Sequence, residues 1–311
     1  MYTFSTRVAA THLLNKHSRK LLIALCIALS LPTTATEFSP AATSEPPSQT
    51  IDIRYPAAKD NNQHDFDDYF LALLKLGMEK SGEKFSIKPI AVSSFGERRA
   101  ELLLIRNRFN LHWLNTNIQR EKNLLPIPIP LFKGLIGWRL LLIKKEDQKK
   151  FSAINSIEQL RQVKAGQGHD WPDVNIIKFN GLPIVTSANW AGLFKMLQVG
   201  RIDYYPRSLI EIWREQKTFE ALDLGIEDHL VLRYPAAYYF FTNKQNIALA
   251  TALTKGLERA RTDGSFDQLF MQHFGDYIQK ATLNERIVIY MQNPNLAPIN
   301  PNYLYEVDTA H

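Results

Sequence analysis

Among the side chains that could bind a ligand, Arg120 has the most informative position in the sequence. A short apolar segment from Leu111 to Leu114 precedes it, and the three prolines of residues 126–130 follow it. Each proline fixes φ and removes a backbone donor, so this stretch cannot be a central strand and should run extended into a second folding unit. Arg120 is therefore expected at an interdomain cleft, where a guanidinium fork suits a carboxylate. The alternative is an ion pair with Glu121 or another carboxylate of the chain.

Polar and aromatic side chains gather at the ends of the predicted strands in the first half of the chain. Between residues 51 and 114, short apolar runs alternate with segments of helical spacing. This order predicts a βαβαβ series and an α/β fold with a mostly parallel sheet. Because ligands of such sheets lie beyond the carboxyl ends of the strands, we expect ligand contacts from Tyr55, Trp113, Asn115 and Thr116.

A second α/β series begins with the apolar run at residues 140–143. Strands are predicted at residues 163–167, 176–179 and 202–205, with helices beginning at Ser156 and covering Trp190 to Val199. Ser187 or Asn189 is expected to cap the second helix. Leu230 to Thr242 is β-prone but interrupted by Pro235, which indicates a returning crossover.

The remaining candidates for ligand contact lie in this second half. His169, Asp170 and Trp171 share a polar turn, and Tyr205 and Arg207 stand at the end of a predicted strand. A metal site on this turn is not expected, because a helical pair spacing and a nearby second histidine are both missing. Trp171 either stacks on a ligand or packs against its own loop. The full set of predicted ligand contacts is Tyr55, Trp113, Asn115, Thr116, Arg120, His169, Asp170, Trp171, Ser187, Asn189, Tyr205 and Arg207.

The N-terminus has the layout of a secretory signal peptide. Basic residues precede the apolar run Leu21 to Leu31, and small residues up to Ala35 follow it. The run is shorter than the roughly 20 residues of a membrane-spanning helix. We therefore expect residues 1–35 to be removed, residues 36–50 to form a disordered lead-in, and the mature chain to be an exported protein without a membrane span. Retention of the apolar run as a membrane anchor is the alternative. Cys26 lies within the leader, so no thiol is expected in the mature chain.

Charge and length exclude some classes of protein. The leader contains four of the 37 basic residues and no acidic one, which leaves 33 basic against 31 acidic residues. Without a basic block or stripe, a nucleic-acid partner is not expected. The length that remains suggests about two domains, and we expect a monomer without a cofactor.

Catalytic motifs are missing from the sequence. There is no Gly-x-Ser-x-Gly elbow, His-Glu-x-x-His pair or phosphate-cradling loop, so we predict that the protein is not an enzyme. Glu211 and Glu215 lie one helical turn apart, but neighbouring glutamates on a helix usually form a solvated face. A glycosidase pair normally flanks its cleft from separate elements.

The C-terminal third resembles a known family. Residues 254–275, TKGLERARTDGSFDQLFMQHFG, are similar to the helix–turn–helix signature of bacterial periplasmic solute-binding proteins of the amino-acid-binding type. In this segment Gly264 supplies the positive φ that ends one helix, and an apolar face follows. Residues 156–160 and 200–203 also resemble segments of the family's second lobe.

The resemblance implies two α/β lobes that close by a hinge around a small solute. Lobe one is expected at residues 51–132, lobe two at 133–235, and the return to lobe one with the C-terminal tail at 236–311. In the family, an arginine after the third strand holds the ligand's carboxylate, and Arg120 falls at that place. The implied function is capture of a small carboxylate-bearing solute for transport or sensing, with a membrane permease or a sensor receptor as partner.

One departure from the family favours a second interpretation. Amino-acid binders of this type usually carry a carboxylate in lobe two for the ligand's amine, whereas this chain has Tyr205, Pro206 and Arg207 there. A cation would repel an ammonium group, so an ordinary α-amino acid is a poor candidate ligand. The alternative is an envelope protein-interaction module that kept the fold and lost its solute.

Overall fold

The described part of the chain begins one residue before the first predicted strand. The computed structural model describes residues 50–58, 66–92 and 96–307. The predicted signal peptide, its cysteine and nearly all of the predicted lead-in lie outside the described residues. Within those residues, every helix is too short or too polar to cross a membrane.

The first lobe is built from the start of the chain and from a later return. Its elements are β1 (Ile51–Ala58), α1 (Asp67–Ser81), β2 (Phe85–Val92), α2 (Glu97–Ile105), β3 (His112–Asn115), α3 (Ile118–Asn123), β4 (Leu125–Ile127), β11 (Tyr238–Thr242), α9 (Ile247–Thr262) and α10 (Ser265–Ala281).

The second lobe lies between these two parts and also receives one late strand. Its elements are β5 (Trp138–Lys144), α4 (Gln148–Phe151), α5 (Ile157–Leu160), β6 (Ala165–Gly168), α6 (Pro172–Phe179), β7 (Ile184–Ser187), α7 (Trp190–Gln198), β8 (Tyr205–Ser208), α8 (Ile212–Thr218), β9 (Leu224–Ile226), β10 (Leu230–Arg233) and β12 (Ile287–Tyr290). The chain therefore visits lobe two a second time at β12, which pairs with β10.

Strand pairing is mixed within each lobe. The pairs β1–β2, β6–β7 and β10–β12 are parallel, as predicted. The crossover strands run against their neighbours: β11 is antiparallel to β3 and β4, and β5 is antiparallel to β8, β9 and β10. The prediction of a mostly parallel sheet thus fails for β5 and β11, because a chain that crosses between lobes enters the next sheet in the opposite direction.

Three segments join the lobes: the two crossovers from β4 to β5 and from β10 to β11, and the later segment from α10 to β12. The proline-rich stretch leaves β4, an edge strand in which Pro126 stands opposite Phe241 of β11. An edge position tolerates a residue without an N–H donor, so the predicted extended backbone is confirmed for Leu125–Ile127, whereas the chain turns after Pro130 and forms a short 3-10 helix at Leu135–Gly137. The second crossover runs through Tyr234 and Pro235 into β11. The backbone N–H of Tyr234 donates to the carbonyl of Gly137 at 3.1 Å, so the two crossovers touch.

Two predicted strands of lobe two lie elsewhere. Ile176 to Phe179 is the second half of helix α6, because Pro172 stands at the first helical position, where its fixed φ suits a helix. The strand predicted at residues 202–205 instead covers Tyr205 to Ser208. The caps at Ser156 and Asn189 are confirmed, since their side chains accept hydrogen bonds from the N–H groups of Gln159 and Gly192.

The helix pair predicted from residues 254–275 is also confirmed. Gly264 has φ +80° between α9 and α10, a conformation that glycine adopts without a Cβ penalty. Phe266, Phe270 and Phe274 of α10 are all buried, where they pack with α1 and the first-lobe core. The helix pair therefore contributes to the core of the first lobe.

Candidate functional site

A cleft of about 890 Å³ opens between elements of the two lobes. The first lobe contributes the start of α2, the end of β3 and the start of β11, while the second contributes β5, β8 and the start of α6. The lining residues are Gly96, Glu97, Arg98, Arg99, Leu102, Asn115, Ile136, Arg139, Asp170, Trp171, Pro172, Asp173, Arg207, Glu211 and Tyr238. Its volume lies within the range of about 300–1,000 Å³ that small-molecule sites occupy.

Two unpaired cations lie on the first-lobe wall. Arg98 and Arg99 occupy the first turn of α2, directly after its N-cap Gly96, and both side chains are exposed. Neither forms an ion pair within the part of the chain that the structure describes. The N-cap residue is a glycine, so no side chain competes for the first amides of the helix. This corner of the cleft therefore favours an anionic group.

Glu97, beside these arginines, is held by the chain itself. Its carboxylate accepts a hydrogen bond from Arg120 Nη1 at 3.0 Å and from Asn115 Nδ2 at 2.8 Å. The backbone N–H of Asn115 adds a longer contact at 3.3 Å. A charge-assisted bond of this length is stronger than one between neutral groups. The carboxylate of Glu97 is therefore held on the cleft wall by the kind of donors that would bind the carboxylate of a ligand.

Arg120 itself does not line the cleft. Its side chain is only 6% exposed and also contacts Glu101, with 3.4 Å between Nε and Oε2. It donates to the backbone carbonyl of Asn115 as well. The expectation of a guanidinium projecting into the solvent gap is therefore corrected: the side chain lies behind the wall, and carboxylates of α2 hold it. The predicted alternative, an ion pair with Glu121 or another carboxylate, is confirmed in its second form: Glu97 and Glu101 are the partners, whereas Glu121 accepts a hydrogen bond from Thr116.

On the second-lobe wall, Arg207 is neutralised by two carboxylates. Its Nε and Nη2 each lie 2.6 Å from an oxygen of Glu215, and Nη2 lies 3.2 Å from Glu211. The predicted solvated glutamate face is thus wrong, since Glu215 is buried and Glu211 is mostly buried. Because its charge is balanced at short range, Arg207 does not present the free cation on which the argument against an ammonium ligand rested.

A second buried network connects the same wall to a crossover. Arg139 of β5 lies 2.8 Å from Asp173 and 3.3 Å from Glu211, and its Nε donates to Tyr234 Oη at 2.6 Å. Tyr234 in turn donates to Asp173. Burial raises the pKa of Tyr234 well above its ordinary value, so the phenol stays protonated and able to donate. Arg139 and Arg207 therefore belong to one buried framework in which three carboxylates, Asp173, Glu211 and Glu215, surround the two guanidinium groups.

Trp171 and Asp170 form the rim of this wall at the start of α6. The indole packs over the backbone of Gly168, where an added Cβ would lie 2.6 Å from the ring. The guanidinium of Arg207 lies 4.8 Å from the ring centroid, a distance at which a cation is attracted to an indole face. Asp170 is exposed and lies 3.8 Å from its neighbour His169. No group of three His, Cys, Asp or Glu side chains suited to a metal occurs among the described residues.

The cleft brings together four of the predicted contact residues. Asn115, Asp170, Trp171 and Arg207 line it. The others lie beside or behind its wall, and binding by them stays a prediction. Trp113, Thr116, Arg120 and Tyr205 are buried, and the ring centroid of Tyr55 lies 6.0 Å from that of Trp113. Asn189 caps α7, Ser187 accepts a hydrogen bond from the Asn189 N–H, and His169 is exposed.

Sequence reasoning missed the first turn of α2. Glu97, Arg98 and Arg99 follow β2, and the rule that ligands lie beyond strand ends applies to this loop as it does to the one after β3. A run of one acid and two arginines after a glycine was the available signal. Tyr238 was likewise read only as part of a strand. Burial raises its pKa, with further contributions from the carboxylates of Glu97 and Glu211, one on each wall of the cleft.

Several solved structures share this fold. An ancestral arginine-binding protein bound to glutamine superposes with a TM-score of 0.51 and 19% identity, covering 73% of this chain and 99% of that chain. An ancestral arginine-binding protein bound to arginine has a TM-score of 0.51 and 18% sequence identity, and the match covers 72% of this chain and 98% of that chain. A histidine kinase sensor domain with similarity to periplasmic binding proteins has a TM-score of 0.51 and 13% sequence identity, and the match covers 73% of this chain and 96% of that chain.

These similarities establish the architecture. The chain has the two-lobed α/β fold of periplasmic solute-binding proteins of the amino-acid-binding type, as the sequence resemblance predicted. No protein-family model and no curated protein sequence matches it. A shared fold does not fix a ligand, so what the cleft binds has to be argued from its own side chains.

Proposed function

We propose that the protein is a periplasmic solute-binding protein that captures a small carboxylate-bearing solute between its lobes. The pair of exposed arginines at the start of α2 carries this proposal. Arg139 and Arg207, the other arginines of the lining, are matched by carboxylates of the chain, whereas Arg98 and Arg99 have no ion-pair partner among the described residues. A solute carboxylate supplies the missing partner.

The opposite wall favours a solute with a second feature. Asp170 is exposed and Trp171 is partly exposed at the cleft rim, which provides one carboxylate and an aromatic edge. These groups suit a cationic or planar portion of the solute. Neutralisation of Arg207 removes the objection to an ammonium group, so amino-acid-like solutes belong among the candidates.

The fold suits either transport or sensing. Structures of similar fold include both an arginine-binding protein and a kinase sensor domain. In either role, the lobes would close around the solute, and the closed protein would be presented to a membrane permease or a sensor receptor. Secretion is part of the proposal, and the exported protein is expected to start near Thr36, which N-terminal sequencing checks.

Thermal-shift measurements on the mature protein test solute capture. The probes are succinate, L-glutamine, L-arginine, glucose and a short peptide, at matched ionic strength. A solute that binds only the folded state raises the melting temperature, and the rise grows with the logarithm of the solute concentration once this exceeds the Kd. We expect a carboxylate probe to do so and the combined variant Arg98→Gln/Arg99→Gln to lose the effect.

The matched control is Arg106→Gln/Arg108→Gln, which removes the same charge near the far end of α2. It should keep the response. If the control and the test variant lose it equally, general charge accounts for the shift and the proposed site is wrong.

The alternative is a protein-interaction module that no longer binds a solute. It is favoured by Glu97, which already fills the place beside Arg120 and Asn115 that a ligand carboxylate would take. If every probe leaves the melting temperature unchanged, and calorimetry shows no heat of binding, the solute proposal fails and this alternative stands.

A further inference from the structure

The first-lobe wall contains a carboxylate-binding place that the chain fills with its own side chain. Three donors form it: Arg120 Nη1, Asn115 Nδ2 and the Asn115 N–H, which lie 3.0, 2.8 and 3.3 Å from the oxygens of Glu97. We call these donors the Arg120–Asn115 seat. We infer that Glu97 is an internal carboxylate that occupies this seat and closes it to solute carboxylates.

Arg120 and the backbone of Asn115 are held in place by contacts other than Glu97. Arg120 is 6% exposed and is further held by Glu101 and by the Asn115 carbonyl, while its backbone N–H is capped by the Asn117 side chain at 2.8 Å. Asn115 lies at the end of β3, paired with Tyr238 of β11. The seat would therefore persist if the carboxylate were withdrawn, because neighbouring backbone and side chains define it.

Of the two carboxylates that contact Arg120, Glu97 is the more exposed to solvent. Its side chain is 32% exposed, it lines the cleft, and it stands at the first position of α2, next to Gly96. Glu101, the other carboxylate on Arg120, is 18% exposed and is not part of the lining. Withdrawal of Glu97 would open the seat to the cleft, whereas loss of Glu101 would not.

A tethered carboxylate competes strongly with a free one. Tethering gives it an effective concentration on the order of millimolar or higher, so a dilute free carboxylate that makes the same bonds does not replace it. Glu97 would then act as a specificity-determining residue. It directs a solute's carboxylate towards Arg98 and Arg99 and excludes small carboxylates that offer no other contacts.

This inference rests on the same cleft as the proposed function, but its test is separate. Glu97→Ala removes the internal carboxylate and leaves the three donors in place. Acetate is the probe, with chloride at equal ionic strength as the blank. We expect the variant to melt at a lower temperature than the wild type and acetate to restore part of the loss, with an affinity for acetate about tenfold or more above that of the wild type.

Two controls assign the effect to the seat. Glu101→Ala also removes a carboxylate from Arg120 but opens no path to the cleft, so acetate should not restore it. Glu97→Ala/Asn115→Ala lacks one donor of the seat and should lose the rescue. If Glu97→Ala does not fold, Glu97→Ser, whose side chain is too short to reach the three donors, replaces it, and acetate titration followed by NMR gives the same comparison.

Rescue of Glu97→Ala that is no larger than that of Glu101→Ala or the wild type would overturn the inference. The proposed function survives that result if the wild type still binds a solute through Arg98 and Arg99. Conversely, rescue by acetate in a protein whose wild type binds no probe supports the closed seat and rejects solute capture.

Discussion

Gly137 and Tyr234 touch where the two crossovers pass each other. A Cβ added to Gly137 would lie 2.0 Å from the Tyr234 carbonyl oxygen, and the Tyr234 N–H donates to the Gly137 carbonyl at 3.1 Å. The phenol of the same tyrosine binds Arg139 and Asp173 on the cleft wall. Tyr234 thus links the connection between the lobes to the framework that lines the cleft.

Gly137→Ala should destabilise the protein because backbone must move to admit the methyl group. Overpacking of this kind typically costs about 1–3 kcal/mol, occasionally more. The control is Gly275→Ala, since a Cβ there meets only the end of Met271 at 3.5 Å and alanine favours the interior of helix α10. Urea unfolding of both variants tests this. Equal stability of the two would mean that the crossovers separate without cost.

Glu215→Gln should be strongly destabilising, because the guanidinium of Arg207 stays buried and only Glu211 remains to neutralise its charge. Removing one partner of a buried ion pair costs about 3–5 kcal/mol, and Glu211 should keep this loss near the lower figure. Glu79→Gln is the control, since Glu79 and Lys75 form an exposed pair at 3.8 Å that contributes less than about 1 kcal/mol. The free energies of unfolding in urea give the comparison, and a loss below about 1 kcal/mol at Glu215 would contradict it.

Local signals in the sequence predicted much of the fold. The helix–turn–helix around Gly264, the caps at Ser156 and Asn189, and the proline-rich bridge each depend on neighbouring residues, whose effects are visible without a tertiary structure. The short apolar run from Ile176 to Phe179 was misassigned, because periodicity over so few residues does not separate a strand from a buried helix. Pro172 was the better signal.

The site was less predictable because its electrostatics depend on distant partners. Arg120 was placed after the right strand, but Glu97 and Glu101 reach it from another element, 23 and 19 residues earlier. Arg207 was interpreted as a free cation, although Glu215 on the following helix neutralises it. Which carboxylate reaches which arginine depends on how helices pack on the sheets, and no local pattern in one sequence encodes that.

Removing the C-terminal tail should loosen the connection between the lobes. After β12, Asn293 donates to the Pro235 carbonyl of a crossover at 2.9 Å, and Asn295 accepts from the N–H of Ile118 at 2.9 Å. Tyr303 lies under the guanidinium of Arg261, with 4.1 Å to the ring centroid. The tail therefore runs from second-lobe strand β12 over a crossover to the first lobe, as a further connection beside the two crossovers and the segment between α10 and β12.

A chain that ends at residue 292 is expected to lose about 2–4 kcal/mol of stability through lost apolar burial. Its radius of gyration by small-angle X-ray scattering should increase, because the lobes can open further. A chain that lacks only residues 308–311 is the control and should match the full-length protein. An unchanged radius of gyration in the longer truncation would contradict a tethering role, whatever its stability.

Stability at acidic pH should depend on Asp263, at the junction of α9 and α10. Hydrogen bonds from Lys80 and then from Ser265 lower its pKa from 3.8 to about 2. Since the folded-state pKa lies below the unfolded value, its contribution to stability is fully present above the unfolded pKa and is lost as the pH falls towards 2. In urea titrations across this window, Asp263→Asn should show a smaller decline in the free energy of unfolding than the wild type. Lys80→Met, which removes the first donor, should behave in the same direction, and parallel declines in all three proteins would show that this carboxyl group does not contribute to the acid sensitivity of the fold.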